Sequence, residues 1–136
     1  MQNQNVSNGA ALLGRIMLAL IFVVSGFGKL TGYEGTAAYM AGAGLPAVTI
    51  LLPLTILIEL GGGLLLMIGW RTRMVATIMF LFLIPVTLVF HGSAADPAQA
   101  RMQAIHLMKN ISIMGGMLML VAFGPGGWSV DGRKRS

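Results

Sequence analysis

Four apolar windows, each long enough to cross a bilayer, constrain this chain more than any other feature. They run over residues 11–30, 47–69, 74–90 and 105–123. About twenty apolar residues in a helix span the hydrocarbon core. Only helices and closed barrels satisfy every backbone group inside lipid. The expected fold is therefore all-α, an integral membrane four-helix bundle, with residues 1–136 forming a single membrane domain. Composition agrees: 56% of the 136 residues are hydrophobic and 10% are charged, with a mean hydropathy of +0.82. A soluble chain of this length needs far more polar surface to cover its core. The first window does not read as a signal peptide. The preceding tail "MQNQNVSNGA" has no positive charge, and no small-x-small cleavage site follows the apolar stretch.

The net charge of +5 does not point to nucleic acid, because the nine basic residues are scattered or sit at segment ends. Their distribution bears instead on orientation. Four spans place both termini on one side, which carries Arg71, Arg73, Arg133, Lys134 and Arg135. The opposite loops hold Arg101, with Lys29 and Lys109 near helix ends. The positive-inside rule then puts both termini in the cytoplasm. The chain has no cysteine, which excludes thiol-disulfide chemistry, iron–sulfur clusters and thiolate zinc sites within it.

Turn residues mark the joints. The loop "TGYEGTAAYMAGAGLP" is expected to form a short interfacial segment with Tyr33 and Tyr39 at headgroup depth. Pro46 suits the first turn of the second span. Pro53 and Pro85 fall inside spans and should kink them. Asp96–Pro97 is a turn signal. After the fourth span, "GPGG" ends the helix and "WSVDGRKRS" reads as a short cytoplasmic tail.

Helical spacing sorts the polar residues onto faces. Arg15, Ala19, Phe22, Gly26 and Lys29 share a stripe on the first span; Thr55, Glu59, Gly62, Gly63 and Leu66 share one on the second. His106, Lys109, Ser112 and Gly116 align on the fourth. The third has no charge inside it, which marks it as the most lipid-facing. Glycine lets helices in lipid approach closely, so Gly61–Gly63 and Gly115–Gly116 read as contact patches.

Glu59 is the residue that packing alone does not explain. A charge in the middle of a span costs about 2.5 to 3.5 kcal/mol, so it should be neutralised or paired. It is the candidate catalytic residue. Counting from the terminus-bearing side, it lies about 15 Å deep and Arg15 roughly 6 Å deep, within joint reach of two extended side chains. Lys109, about 6 Å below the other face, could reach towards Glu59 or snorkel outwards. Arg15, Glu59, Lys109 and Asn110 could thus converge in the bundle interior and are the candidate set for binding a ligand or cofactor. The alternative is an architectural ion pair that fixes helix register. His91 and His106 read as solvated or capping groups, and neither belongs to a metal- or haem-ligand pattern. No metal site is expected.

The segments "GRIMLALIFVVSGFGKLTGYEGTAAYM", "LPLTILIELGGGLLLMIGWRTR", "VFHG", "MKNISIMGG" and "GPGGWSVD" resemble, in order and over almost the whole chain, the DoxX family of small bacterial inner-membrane proteins. The resemblance is closest to its stand-alone four-helix members. That family takes its name from subunits of thiosulfate:quinone and terminal quinol oxidase systems, and one relative belongs to a membrane oxidoreductase complex that handles oxidative stress. The resemblance implies a bacterial inner-membrane location, an electron-transfer neighbourhood and a quinone as candidate cofactor. Arg15, Lys29, Glu59, Arg71, His91, Lys109 and Asn110 are the polar positions it carries over.

Three functions fit these readings. The first is a quinone-associated oxidoreductase subunit working with partner redox subunits, since a chain without cysteine or haem ligands has no redox centre of its own. The second is an assembly protein with an architectural ion pair. The third is a small proton-coupled transporter component, which with four spans would need to form a homodimer.

Overall fold

The computed structural model describes residues 2–90 and 96–134, with the side chains of Gln2 and Phe90 left aside. His91 and Arg135 lie outside the described residues. Among those described, every regular element is helical: α1 (Gln2–Thr31), α2 (Tyr33–Gly42), α3 (Val48–Ile56), a π-helical turn (Leu57–Gly61), α4 (Gly62–Ile68), α5 (Thr72–Phe90), α6 (Pro97–Phe123) and α7 (Val130–Arg133). Four stretches are long and apolar enough to cross a membrane: Asn3–Thr31, Val48–Ile68, Thr72–Val89 and Pro97–Phe123.

The first and last spans are longer than hydropathy indicated. In both, about two more polar helical turns precede the apolar stretch, and hydropathy registers only the apolar part. Asp96 and Pro97 start α6 rather than merely turning the chain. The Asp96 carboxylate accepts from the Ala98 N–H, with Pro97 in the first turn. Pro46 stands before α3, which begins at Val48 after Ala47 in the left-handed region (φ 51°).

The second span is built in three pieces. Pro53 has no N–H to continue the helical ladder, and the wider turn Leu57–Gly61 follows it. Across that turn Leu52, Ile56, Glu59, Gly63 and Leu66 remain on one buried stripe. Pro85 sits inside α5, which continues through it.

The core lies between α1, α4, α5 and α6, around Ala19, Phe22, Leu66, Val75, Ala76, Met79, Leu83 and Met117. The expected first-span stripe is the buried face of α1: Arg15, Ala19, Phe22 and Gly26 are all buried. Helix approach is tightest where glycine allows it. A Cβ on Gly26 would meet the Leu60 backbone nitrogen at 2.7 Å, and one on Gly63 would meet Val23 at 2.8 Å. Gly116 lies against Leu18, whereas Gly115 faces open space and Gly61 meets only Leu57 of its own turn.

Two expectations are corrected. The third span is not the most lipid-facing, since Val75, Ala76, Met79 and Leu83 of α5 are buried. The share of residues buried is 33% in that span against 11% in the fourth. Without charge a helix can face either lipid or protein; shape complementarity decides, because lipid tails are as apolar as a core. The inward face of α6 is also different from the polar stripe read along it. Asn110 and Met117 are buried, while Lys109 and Ser112 are exposed.

Candidate functional site

Glu59 finds its partner on α1, in Lys29. The Lys29 ammonium donates to Glu59 Oε2 at 2.8 Å and to Ser25 Oγ at 2.6 Å. The Ser25 hydroxyl donates to the same carboxylate oxygen at 3.2 Å. The three groups close a triangle: Ser25 and Lys29 stand one turn apart on α1, and Glu59 faces them from the π turn. The carboxylate side chain is 9% exposed and the lysine side chain 26%.

Side-chain direction explains why Lys29 rather than Arg15 or Lys109 occupies this place. Helical side chains lean towards their helix N-terminus. The first span runs away from the end of the bundle that carries the termini, so Lys29 leans back into the membrane. The second span runs the opposite way, so Glu59 leans out to meet it. Arg15, on the same logic, leans away from Glu59. Lys109, on α6, leans away as well, and its ammonium lies 3.3 Å from His106 Nδ1. An ammonium has only donors, so Nδ1 is the acceptor in that contact.

Arg15 is 2% exposed and is spent on carbonyl oxygens at the terminus-bearing end. It donates to Met67 O through Nε (3.3 Å) and Nη2 (3.2 Å), to Trp128 O (3.0 Å) and to Pro125 O. The segment after α6 is therefore not a loose tail; it folds over the bundle end. Gly127 N–H donates to Asn8 Oδ1 at 2.9 Å. Asp131 accepts from the N–H groups of Arg71 (2.9 Å) and Thr72 (2.8 Å), capping α5. Its own N–H donates to Gly69 O at 2.9 Å. Gly69 closes α4 in the left-handed region (φ 72°), where a Cβ would collide with the Ser129 side chain. Partial burial pushes the Asp131 carboxyl up. The Thr72 and Arg71 backbone donors outweigh it, with help from the Lys134 charge, and hold the group below its ordinary value.

The Glu59 triangle opens on a cavity of about 290 Å³ between the four spans. Thr55, Tyr39, Lys109 and Asn110 add polar atoms to its wall, and Phe22, Phe82, Val86 and Ile113 supply the apolar part. Asn110 and Thr87, both buried, join α6 to α5 through a 3.0 Å bond from Asn110 Nδ2 to Thr87 Oγ1. Three of the four expected residues thus meet here, Glu59, Lys109 and Asn110, while Arg15 lies at the opposite end. Ser25 and Thr87 were not among the expected residues, and Lys29, which was, had not been named as the partner of Glu59. The spacing Ser25-x-x-x-Lys29, one helical turn on the first span, was the signal for that pair. No comparable signal marked Thr87.

Four apolar helices around a paired intramembrane carboxylate define a small multi-span membrane protein. The chain belongs to the DoxX family, whose profile matches residues 10–92. Inner membrane protein YqjF of Escherichia coli (strain K12) is 40% identical over 120 residues, 88% of each chain. Inner membrane protein YphA of the same organism is 32% identical over 128 residues, 90% of this chain and 88% of its own. A Bacillus subtilis (strain 168) protein named "Putative oxidoreductase CatD" is 31% identical over 111 residues, 82% of this chain and 81% of its own. No solved structure matches the chain.

Proposed function

We propose that this DoxX-family protein works in the bacterial inner membrane as the quinone-associated component of a redox system, with Lys29, Ser25 and Glu59 as its polar centre. The observation that carries the reading is the opening of that triangle onto the cavity between the spans. A buried carboxylate held beside an ammonium is a proton acceptor and donor in an otherwise apolar wall. The names of the two Escherichia coli relatives support the location, and that of the Bacillus subtilis relative supports redox work.

The residues present suit a quinone headgroup. Lys29 and Asn110 have N–H groups of the kind a carbonyl oxygen accepts from, and the apolar walls suit a ring and the start of its tail. A bound quinone would supply two-electron, two-proton chemistry, and its electrons would pass to or from a partner redox subunit. Glu59 holds or releases a proton at Oε2. Ser25 fixes that oxygen, and Lys29 stabilises its negative charge. We further infer that the end bearing the termini faces the cytoplasm, because Arg71, Arg73 and Lys134 gather there.

The test is mass spectrometry for quinone co-purifying in mild detergent with the wild type and with Glu59→Gln and Asn110→Ala. Near-stoichiometric quinone in the wild type, lost in variants that keep their fold, supports the proposal. One observation favours an architectural pair instead: the triangle satisfies its own hydrogen bonds without any ligand. Absence of quinone from all three proteins, with Glu59→Gln melting at lower temperature, would establish that second reading.

A further inference from the structure

At the end of the bundle that carries the termini, two cavities adjoin. The first, of about 680 Å³, is lined by the cations Arg71, Arg73 and Lys134 together with Met74 and Phe123. The second, of about 430 Å³, is an apolar groove between α1 and α6 whose lining includes Gly14, Leu18, Met119 and Leu120. Phe123 and Gly124 belong to both. Arg15 also borders the groove, but its donors are turned onto the carbonyls of Met67, Pro125 and Trp128.

We propose that these joined cavities bind one anionic phospholipid, its phosphodiester held by Arg71, Arg73 and Lys134 and an acyl chain laid along the groove between α1 and α6. Arginine forks match phosphate oxygens, and basic pockets beside membrane helices are suited to anionic headgroups. Two contacts hold the arginines at the bundle end. The Arg71 guanidinium stacks on Trp70 at 5.5 Å from the ring centre, and Arg73 Nη2 reaches Ala122 O at 3.4 Å. Asp131 also lines the basic cavity, but both its oxygens already accept backbone N–H groups. Three cations therefore face one engaged carboxylate. A free phosphate ion shares the headgroup chemistry but has no use for the groove. The groove is what selects a lipid.

The experiment is native mass spectrometry of the full chain in detergent, titrated with dioleoyl-phosphatidylglycerol and, separately, with dioleoyl-phosphatidylethanolamine. Inorganic phosphate is added as a competitor. The wild type is expected to bind the anionic lipid more tightly. Removing both charges in Arg71→Gln/Arg73→Gln is expected to weaken that binding about 25-fold, about fivefold for each arginine. Nothing lies within 4 Å of a Cβ on Gly14, so Gly14→Leu, which puts bulk into the groove, is expected to weaken lipid binding while leaving phosphate binding intact. Should the double variant unfold, Arg73→Lys serves in its place, keeping the charge but losing the fork, with a smaller loss expected. Equal binding of the two lipids, or anionic-lipid binding indifferent to the arginine substitutions, overturns the proposal. So does displacement by phosphate combined with no effect of Gly14→Leu, which would make a free phosphate the ligand.

Discussion

Lys29 and Glu59 meet at 2.8 Å between two antiparallel spans, and their lean along the helices places them in each other's reach. Ser25, one turn before Lys29, bonds both partners. The pair joins α1 to the π turn at the one place where the second span departs from α-helical geometry. A π turn within a helix often accompanies a functional position, and here it contains the buried carboxylate.

Breaking the pair from one side should cost more than removing it whole. Lys29→Met leaves the Glu59 carboxylate unpaired within the span, at a cost of about 2.5 to 3.5 kcal/mol if it stays charged. Lys29→Met/Glu59→Leu removes both charges and should recover most of that loss. Thermal unfolding in detergent of the wild type, the two single variants and the double variant measures the coupling. A double variant as unstable as the sum of the singles would contradict the geometry.

The glycines should divide sharply by position. Gly26→Ala places a methyl group against the Leu60 backbone nitrogen, so α1 and the second span must separate and the melting temperature should fall. Gly115→Ala meets nothing within 4 Å. That substitution should be neutral, or stabilising by up to about 1 kcal/mol through helix propensity. Comparison of the two melting temperatures is a direct check.

Asp131 should make the terminus-bearing end acid-sensitive. Its pKa is held below the ordinary carboxylate value, so the folded state favours the ionised form. The stability it contributes is present above the unfolded value, near 4, and is lost as the pH falls through the lower folded value. Asp131→Ala should cost about 0.5 to 2 kcal/mol as the loss of a helix cap and should flatten the decline below pH 4. Unfolding followed from pH 7 to pH 2 reports both effects.

The orientation proposed above is open to a simple assay. A fluorescent protein that matures only in the cytoplasm, fused after Ser136, should light up. An alkaline phosphatase that folds only in the periplasm should be inactive at that position. The opposite pattern would reverse the assignment of the basic end.

Much of the fold was legible because hydropathy and helical period are local properties. The four spans, the glycine approaches at Gly63 and Gly116, and the buried stripe from Arg15 to Gly26 all follow from residues a turn or two apart. The polar partnerships were less legible. Depth along the span admitted Arg15 as a partner for Glu59, but side-chain lean excludes it. Asn110 and Thr87 meet across 23 positions, and neither carries a mark that names the other. The segment after α6 looked like a tail because its polar residues have no period. Its order comes from carbonyls that Arg15 collects and from N–H groups that Asp131 caps.

The sequence by itself determined that this chain lives in a membrane as four helices and that Glu59 needs a partner there, since both follow from the cost of exposing polar groups to lipid. Only the tertiary structure decided that the partner is Lys29, that Arg15 ties down the far C-terminal segment, and that the third span belongs to the core. Between spans, lipid offers no preference for one apolar face over another. Helix direction, close approach at glycine and hydrogen-bond reach therefore make the choice.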